Sequence, residues 1–199
     1  MSFDGEVGLR KVGLGGIHPL TRRYDSGDFV DILKSAEKLM SMDETTWQRH
    51  SNPLSVYSRF SILPLFTLIL AFRETLGWWA LFALILVSLW TWLNPRVFPV
   101  PRTTNNWASM GTFGERVYLN RHNEDVIPYH HLRMCRFIVA LQIIGVPFWC
   151  LAVYRISYEP MVLSSFWLMF TKMWFVDRMV WLYQDVKELN PIYQSWLRS

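Results

Sequence analysis

Four apolar runs alternate with polar connections along the chain. The first, FSILPLFTLILAF at 60–72, is shorter than the roughly 20 residues a membrane-crossing helix needs. It reaches a spanning length if the helix is entered from Ser55. The polar break RETLG at 73–77 separates it from WWALFALILVSLWTWL at 78–93. So short a turn predicts an antiparallel helical hairpin; one continuous bent helix would strand Arg73 and Glu74 in mid-membrane at high cost. The third run, FIVALQIIGVPFWCLAVY at 137–154, is followed by the break RISYEP and a fourth run over 161–183. The pattern predicts four spans in two hairpins, 55–72 with 76–93 and 136–154 with 160–183, with Pro64 and Pro147 as expected kinks.

Outside the runs the pattern changes. Residues 1–26 read as a glycine-rich arm; its GLGG lacks the preceding strand and third glycine of a dinucleotide fingerprint. Over 27–42, Phe29, Ile32, Leu33, Ala36, Leu39 and Met40 recur at helical spacing, opposite Asp31, Lys34, Glu37 and Lys38. Its acids outnumber its lysines, so the helix suits docking on protein better than anionic lipid. Ser41 and Glu44 form a capping-box pattern for a short helix that Pro53 ends. The connection 94–134 has no run long enough to span, yet NWASMGTFGERVYLNR reads as ordered. The organisation expected is an arm at 1–26, a cytoplasmic helical segment at 27–53, a hairpin at 54–93, an ordered cytoplasmic loop at 94–134, a second hairpin at 135–185 and a polar tail at 186–199.

Composition supports a membrane setting. The chain is 51% hydrophobic and only 18% charged, with eleven tryptophans, whose amphipathic rings favour the headgroup level. Lys and Arg are unevenly placed: eight in 1–59, six from Arg96 to Arg136 and three from Arg178 onward, against one in each hairpin turn, Arg73 and Arg155. The positive-inside rule then places both termini and the central loop in the cytoplasm. The first residues lack the apolar core of a signal peptide. A net charge of +4 without a basic, aromatic-interleaved face argues against nucleic acid. Cys135 and Cys150, fifteen residues apart on one predicted helix, are about 22 Å apart at 1.5 Å per residue, too far for a disulfide.

Candidate chemistry is sparse. None of the five histidines falls within a predicted span, which argues against a bis-His haem between helices; no other cofactor is indicated. His50, His130 and His131, with Glu115 as an oxygen ligand, are the candidate metal set. No nucleophile elbow or P-loop occurs. Arg59, Arg96, Glu115, Arg116, Asp177 and Arg178 map near the cytoplasmic edge of different segments, where they are expected to form a polar network. Lys172 lies deeper in the fourth run, as a buried charge without an evident partner. Asp177→Asn is therefore expected to disrupt folding more than Lys172→Met.

Seven short patterns occur in order: WQRHSNPLSVYSR (47–59), GWWAL (77–81), WTWLNPRVFPVP (90–101), NWAS (106–109), GERVYL (114–119), IPYHH (127–131) and KMWFVDRMVWLYQD (172–185). Over roughly residues 40–185 they resemble a family of small prokaryotic integral membrane proteins known as a domain of unknown function. The resemblance implies no activity. It implies that Trp47, His50, Asn52, Arg59, Asn94, Arg96, Glu115, Arg116, His130, Asp177 and Arg178 belong to one shared feature. The reading that results is an all-α, four-span protein of a prokaryotic cytoplasmic membrane with a cytoplasmic cap. Its expected role is a non-catalytic accessory or scaffold subunit, partnered by the bilayer and other membrane subunits. The alternative is a small membrane enzyme or lipid-binding protein whose His50, Glu115, His130, His131 and Asp177 converge on one cytoplasmic-face pocket.

Overall fold

The computed structural model describes residues 42–120 and 127–199. The arm at 1–26 and the amphipathic helix expected from residue 27 lie outside the described residues, as do His18 and His122. All described regular structure is helical. The helices are α1 (Glu44–His50), α2 (Pro53–Arg59), α3 (Ile62–Ala71), α4 (Arg73–Leu76), α5 (Trp78–Val97), α6 (Trp107–Leu119), α7 (Tyr129–Arg155), α8 (Tyr158–Val186) and, after a short 3₁₀ turn, α9 (Pro191–Ser195).

Local chemistry sets the boundaries. Asp43, rather than Ser41, caps α1, its carboxylate accepting from the Thr46 N–H at 2.7 Å. Asn52 is extended and caps α2, with Pro53 at the first helical position. Pro64 has no N–H for the Phe60 carbonyl, and its ring crowds that carbonyl. The chain responds one turn earlier: Phe60 and Ser61 bond three residues back, to Tyr57 and Ser58, separating α2 from α3. The expected kink thus falls at Phe60–Ser61. At the RETLG turn Gly77 adopts φ 53°, ψ −128°, which suits a residue without Cβ. Helix α7 continues through Pro147.

Among the described residues, three helices are long and apolar enough to cross a membrane: Pro53–Ala71 (α2 and α3 together), Trp78–Val97 and Tyr129–Arg155. This is one fewer than the pattern of runs predicts. Helix α8 has the length, 29 residues, but Glu159, Lys172, Asp177 and Arg178 lower its apolarity. The physical reason is its position. Helix α8 lies between α7 and α6 and also touches α3, so Met161, Thr171, Phe175, Val176, Met179, Leu182 and Tyr183 are buried. A helix covered on several sides by protein tolerates polar residues that a lipid-facing one does not.

The main core forms where α6, α7 and α8 meet, around Phe113, Val117, Cys135, Ile138, Met179 and Tyr183. Gly114 makes the closest approach, since a Cβ there would lie 1.9 Å from the Met179 carbonyl oxygen. The segment expected as a polar tail is part of this core. The Tyr183 hydroxyl donates to the Tyr193 carbonyl at 2.8 Å, and Trp196 packs on Phe113, Tyr183 and Tyr193. The chain then pairs with Thr104, whose N–H donates to the Arg198 carbonyl at 2.9 Å.

The two hairpin turns lie at one end of the bundle. Arg73 donates to the Val153 and Tyr154 carbonyls at 2.5 and 3.0 Å, placing a cation on the C-terminal end of α7 where the helix dipole favours it. Helices α1 and α6 and the ends of α5 and α8 gather at the other end. Midway, Thr67 of α3 accepts from the Trp149 indole of α7 at 3.0 Å and shares a 2.9 Å hydrogen bond with Ser165 of α8.

Candidate functional site

The ionisable residues divide into separate groups. The innermost sits under the cap, where the end of α1, the last turn of α2, α6 and α8 converge. Arg59, on α2, donates through Nε to the Ser55 carbonyl at 3.2 Å, and its Nη1 contacts His50 Nε2. Across from it, Lys172 Nζ lies 3.5 Å from Glu115 Oε1 and 5.4 Å from the Phe175 ring centre. Lys172 therefore has a partner. It is also half-exposed at its side chain, 47%, rather than buried. Val56, Arg59, Phe60, Gly111, Thr112, Glu115, Lys172 and Val176 line a cavity of about 60 Å³.

The electrostatics of this group are asymmetric. Burial, then the charges of Arg59 and Lys172, hold the His50 pKa well below the ordinary imidazole value. The ring is therefore neutral, and with a guanidinium donor at Nε2 the proton resides on Nδ1. That Nδ1 is buried without a hydrogen-bond partner among the described residues. For Glu115, burial works to raise the carboxyl pKa, but Lys172 and then Arg59 outweigh it, and the group sits below the ordinary carboxylate value. The ensemble is two cations, one carboxylate and a neutral imidazole around a space large enough for water.

Beside it runs a neutral polar lattice. Asn94, fully buried in α5, accepts from the Ser55 hydroxyl at 2.8 Å and donates to the Ser58 hydroxyl at 2.7 Å. Asn52 donates to the Pro99 carbonyl at 2.9 Å, and Ser109 to the Ser51 carbonyl at 2.7 Å. These bonds fasten α2 to the end of α5 and to α6. The W-x-W-x-N-P and S-N-P patterns meet here as hydrogen-bond partners rather than as catalytic groups.

The expected edge network does not form as one unit, because each remaining member finds its own partner. Arg116 grips Glu44 through both guanidinium nitrogens and lies 4.5 Å from the Trp196 ring centre. Arg96 stacks on Trp92 at 4.0 Å. Asp177 accepts from the Trp107 indole at 3.0 Å. Arg178 lies 5.9 Å from the Trp181 ring centre. Only Arg59 and Glu115 share a group, the one containing His50 and Lys172.

The candidate metal set also separates. His50 and Glu115 belong to the inner group. His130 and His131, in the first turn of α7, meet instead a carboxylate that the sequence did not single out: Asp185, in the last turn of α8. His131 Nε2 lies 2.8 Å and His130 Nε2 3.8 Å from the same oxygen, Asp185 Oδ2. Among the described residues these three alone group closely enough to hold a metal ion. Adjacency of His130 and His131 was the visible signal; the 54 residues to Asp185 concealed the third member.

A cleft of about 220 Å³ opens in the cap between α1, α6 and α9, lined by Trp47, Arg116, Trp196 and Arg198 among others. An apolar furrow of about 380 Å³ lies between α7 and α8 near their turn.

Residues 32–197 match the family of unknown function DUF6653, and the chain belongs to that family. No curated protein and no solved structure matches it.

Proposed function

We propose that the protein is a four-span integral membrane protein, α2–α3 paired with α5 and α7 paired with α8, that serves as a non-catalytic scaffold or accessory subunit within a membrane assembly. The observation that carries the reading is that the ionisable groups under the cap pair off, Lys172 with Glu115 and Arg59 with His50, around a cavity of about 60 Å³, below the roughly 300 Å³ at which ligand pockets begin, while the larger furrow of about 380 Å³ between α7 and α8 is lined mostly by apolar side chains. The alternative pocket loses its basis, since His50 and Glu115, His130 and His131, and Asp177 lie in three separate groups.

Membrane placement of all four helices rests on side chains that suit lipid and not water. Leu54, Leu68, Trp78, Trp79, Phe82, Ile85, Phe148, Leu163 and Phe166 are each more than half exposed, a larger apolar surface than soluble monomers carry. Three hydroxyls of α5 and α8 are closed within their own helices: Ser88 donates to Leu84, Thr91 to Val87 and Thr171 to Trp167, at 2.8–2.9 Å. Most cations collect at the end opposite the turns, which the positive-inside rule assigns to the cytoplasm of a prokaryotic cell. The cap would then comprise, among the described residues, 42–53, 94–120, 127–134 and 186–199.

Two measurements test the reading. Cysteines introduced at Glu74 and Glu159 should react with impermeant maleimide in intact cells, while one at Glu188 reacts only after lysis; the opposite pattern overturns the topology. The protein tagged at its native locus and purified in mild detergent should bring down one partner at fixed stoichiometry. Recovery of the chain alone overturns the subunit reading.

A further inference from the structure

We propose that His130, His131 and Asp185 form a binding site for a divalent transition-metal ion of the zinc class, joining the first turn of α7 to the last turn of α8. The site goes beyond the scaffold reading and does not depend on it. The two imidazole nitrogens lie 2.8 and 3.8 Å from one carboxylate oxygen, and the three ligand atoms are all within 4.8 Å of one another. Zn–N and Zn–O bonds of about 2.1 Å in tetrahedral geometry require ligand atoms about 3.4 Å apart. Rotation of the exposed His130 side chain and a small retreat of Asp185 from His131 meet that requirement.

A hydrogen-bonded staple between α7 and α8 would need one imidazole. Here a second ring is drawn to the same oxygen, tilted 39° against the first with centres 4.2 Å apart. Two imidazoles and a carboxylate form a donor set that suits zinc. The burial pattern also fits: His131 is a fixed, buried ligand at 1% exposure, whereas His130 and Asp185, at 64% and 48%, leave an entry path and an open fourth position. Two features limit affinity. His131 Nδ1 has no acceptor among the described residues, so the outer hydrogen bond that normally orients a ligand imidazole is missing. Arg178, a cation on the same face of α8 two turns before Asp185, opposes a dication. Binding is therefore expected in the micromolar range.

The experiment uses the full chain in detergent, stripped with EDTA and titrated calorimetrically with zinc chloride, with cobalt(II) absorption as a second readout. One zinc per chain is expected, with the intense visible bands of tetrahedral cobalt. Asp185→Asn and His130→Ala should each weaken zinc binding about 10–100-fold, and His50→Gln, in the separate group with Arg59, should leave it unchanged. His130 is exposed, so its alanine variant tests the site even if Asp185→Asn does not fold. Absence of saturable binding up to millimolar zinc overturns the proposal. So does binding that survives His130→Ala unchanged, or cobalt bound with only the weak octahedral spectrum.

Discussion

Replacing Gly114 with alanine tests the contact on which the cap depends. A Cβ at this position would lie 1.9 Å from the Met179 carbonyl oxygen, 2.6 Å from its carbonyl carbon and 2.9 Å from its Cα. All three are backbone atoms of α8, so no side-chain rotation relieves the clash. Helix α6 must withdraw by at least about 1 Å, and a gap of that size forfeits a quarter to a half of each dispersion contact along the interface. Phe113, Val117 and Tyr118 would loosen against Phe175, Met179 and Tyr183. Overpacking of this kind costs about 3 kcal/mol or more, from which about 1 kcal/mol of improved helix propensity is recovered. A net loss of about 2 kcal/mol corresponds to a fall in Tm of about 4–8 °C for a chain of this size. Gly111→Ala, one turn away, is the internal control. Its Cβ would meet the Val176 Cγ1 methyl at 2.7 Å and the Val176 backbone oxygen only at 3.5 Å. The propensity gain nearly offsets that milder clash, and its Tm should stay within about 3 °C of wild type. Intrinsic tryptophan fluorescence during heating in detergent reads both variants. If Gly114→Ala melts with wild type, or above Gly111→Ala, the backbone-to-backbone packing of α6 on α8 is refuted.

Three further outcomes follow from the polar groups. Lys172→Met should cost about 1–2 kcal/mol, because it leaves Glu115 with Arg59 alone while half of the lysine's exposure already weakens the pair; Asp177→Asn keeps an oxygen for the Trp107 indole and should cost less than about 1 kcal/mol. This reverses the sequence-based ranking, and a larger Tm loss for Asp177→Asn would restore it. His50, whose folded pKa is depressed, binds a proton more readily when unfolded, so its contribution to stability is complete above about pH 6.5 and declines as pH falls below it; a His50→Gln variant that folds should show a shallower slope between pH 7 and 5, and an unchanged slope assigns the effect elsewhere. Arg116→Lys gives up the two-point grip on Glu44 and the stack on Trp196, and should lower stability by about 1 kcal/mol; no change in a chemical-denaturation midpoint would show that the pair contributes nothing measurable.

What the sequence made legible was hydropathy, and what it hid was long-range pairing. The apolar runs were plain because lipid and protein interior impose the same demand on every position of a span. The lattice at Asn94 was only hinted at: an asparagine just past an apolar run, and Ser55 and Ser58 one turn apart, carry no sign that they bond across 39 and 36 residues. Tyr193 and Trp196 sit at helical spacing in a segment whose charges made it look like a solvated tail, and the apolar spacing was the better guide.

The charges of the fourth run show how such misreadings arise. A charge in an apolar stretch is costly only when nothing covers it, and sequence gives the charge without the cover. Helix α8 has α7 along one side and α6 along another, so its Lys172 meets Glu115 and its Asp177 meets the Trp107 indole, both supplied by α6. Helix α6 in turn can lie close enough to do this only because Gly114 leaves room for the Met179 backbone. The polar residues of α8 and the glycine of α6 are therefore one adaptation. Charges are retained in the central helix because an amphipathic helix from the cap reaches it at backbone distance, and a change that pushes α6 away should expose the Lys172 and Asp177 costs together with the lost packing.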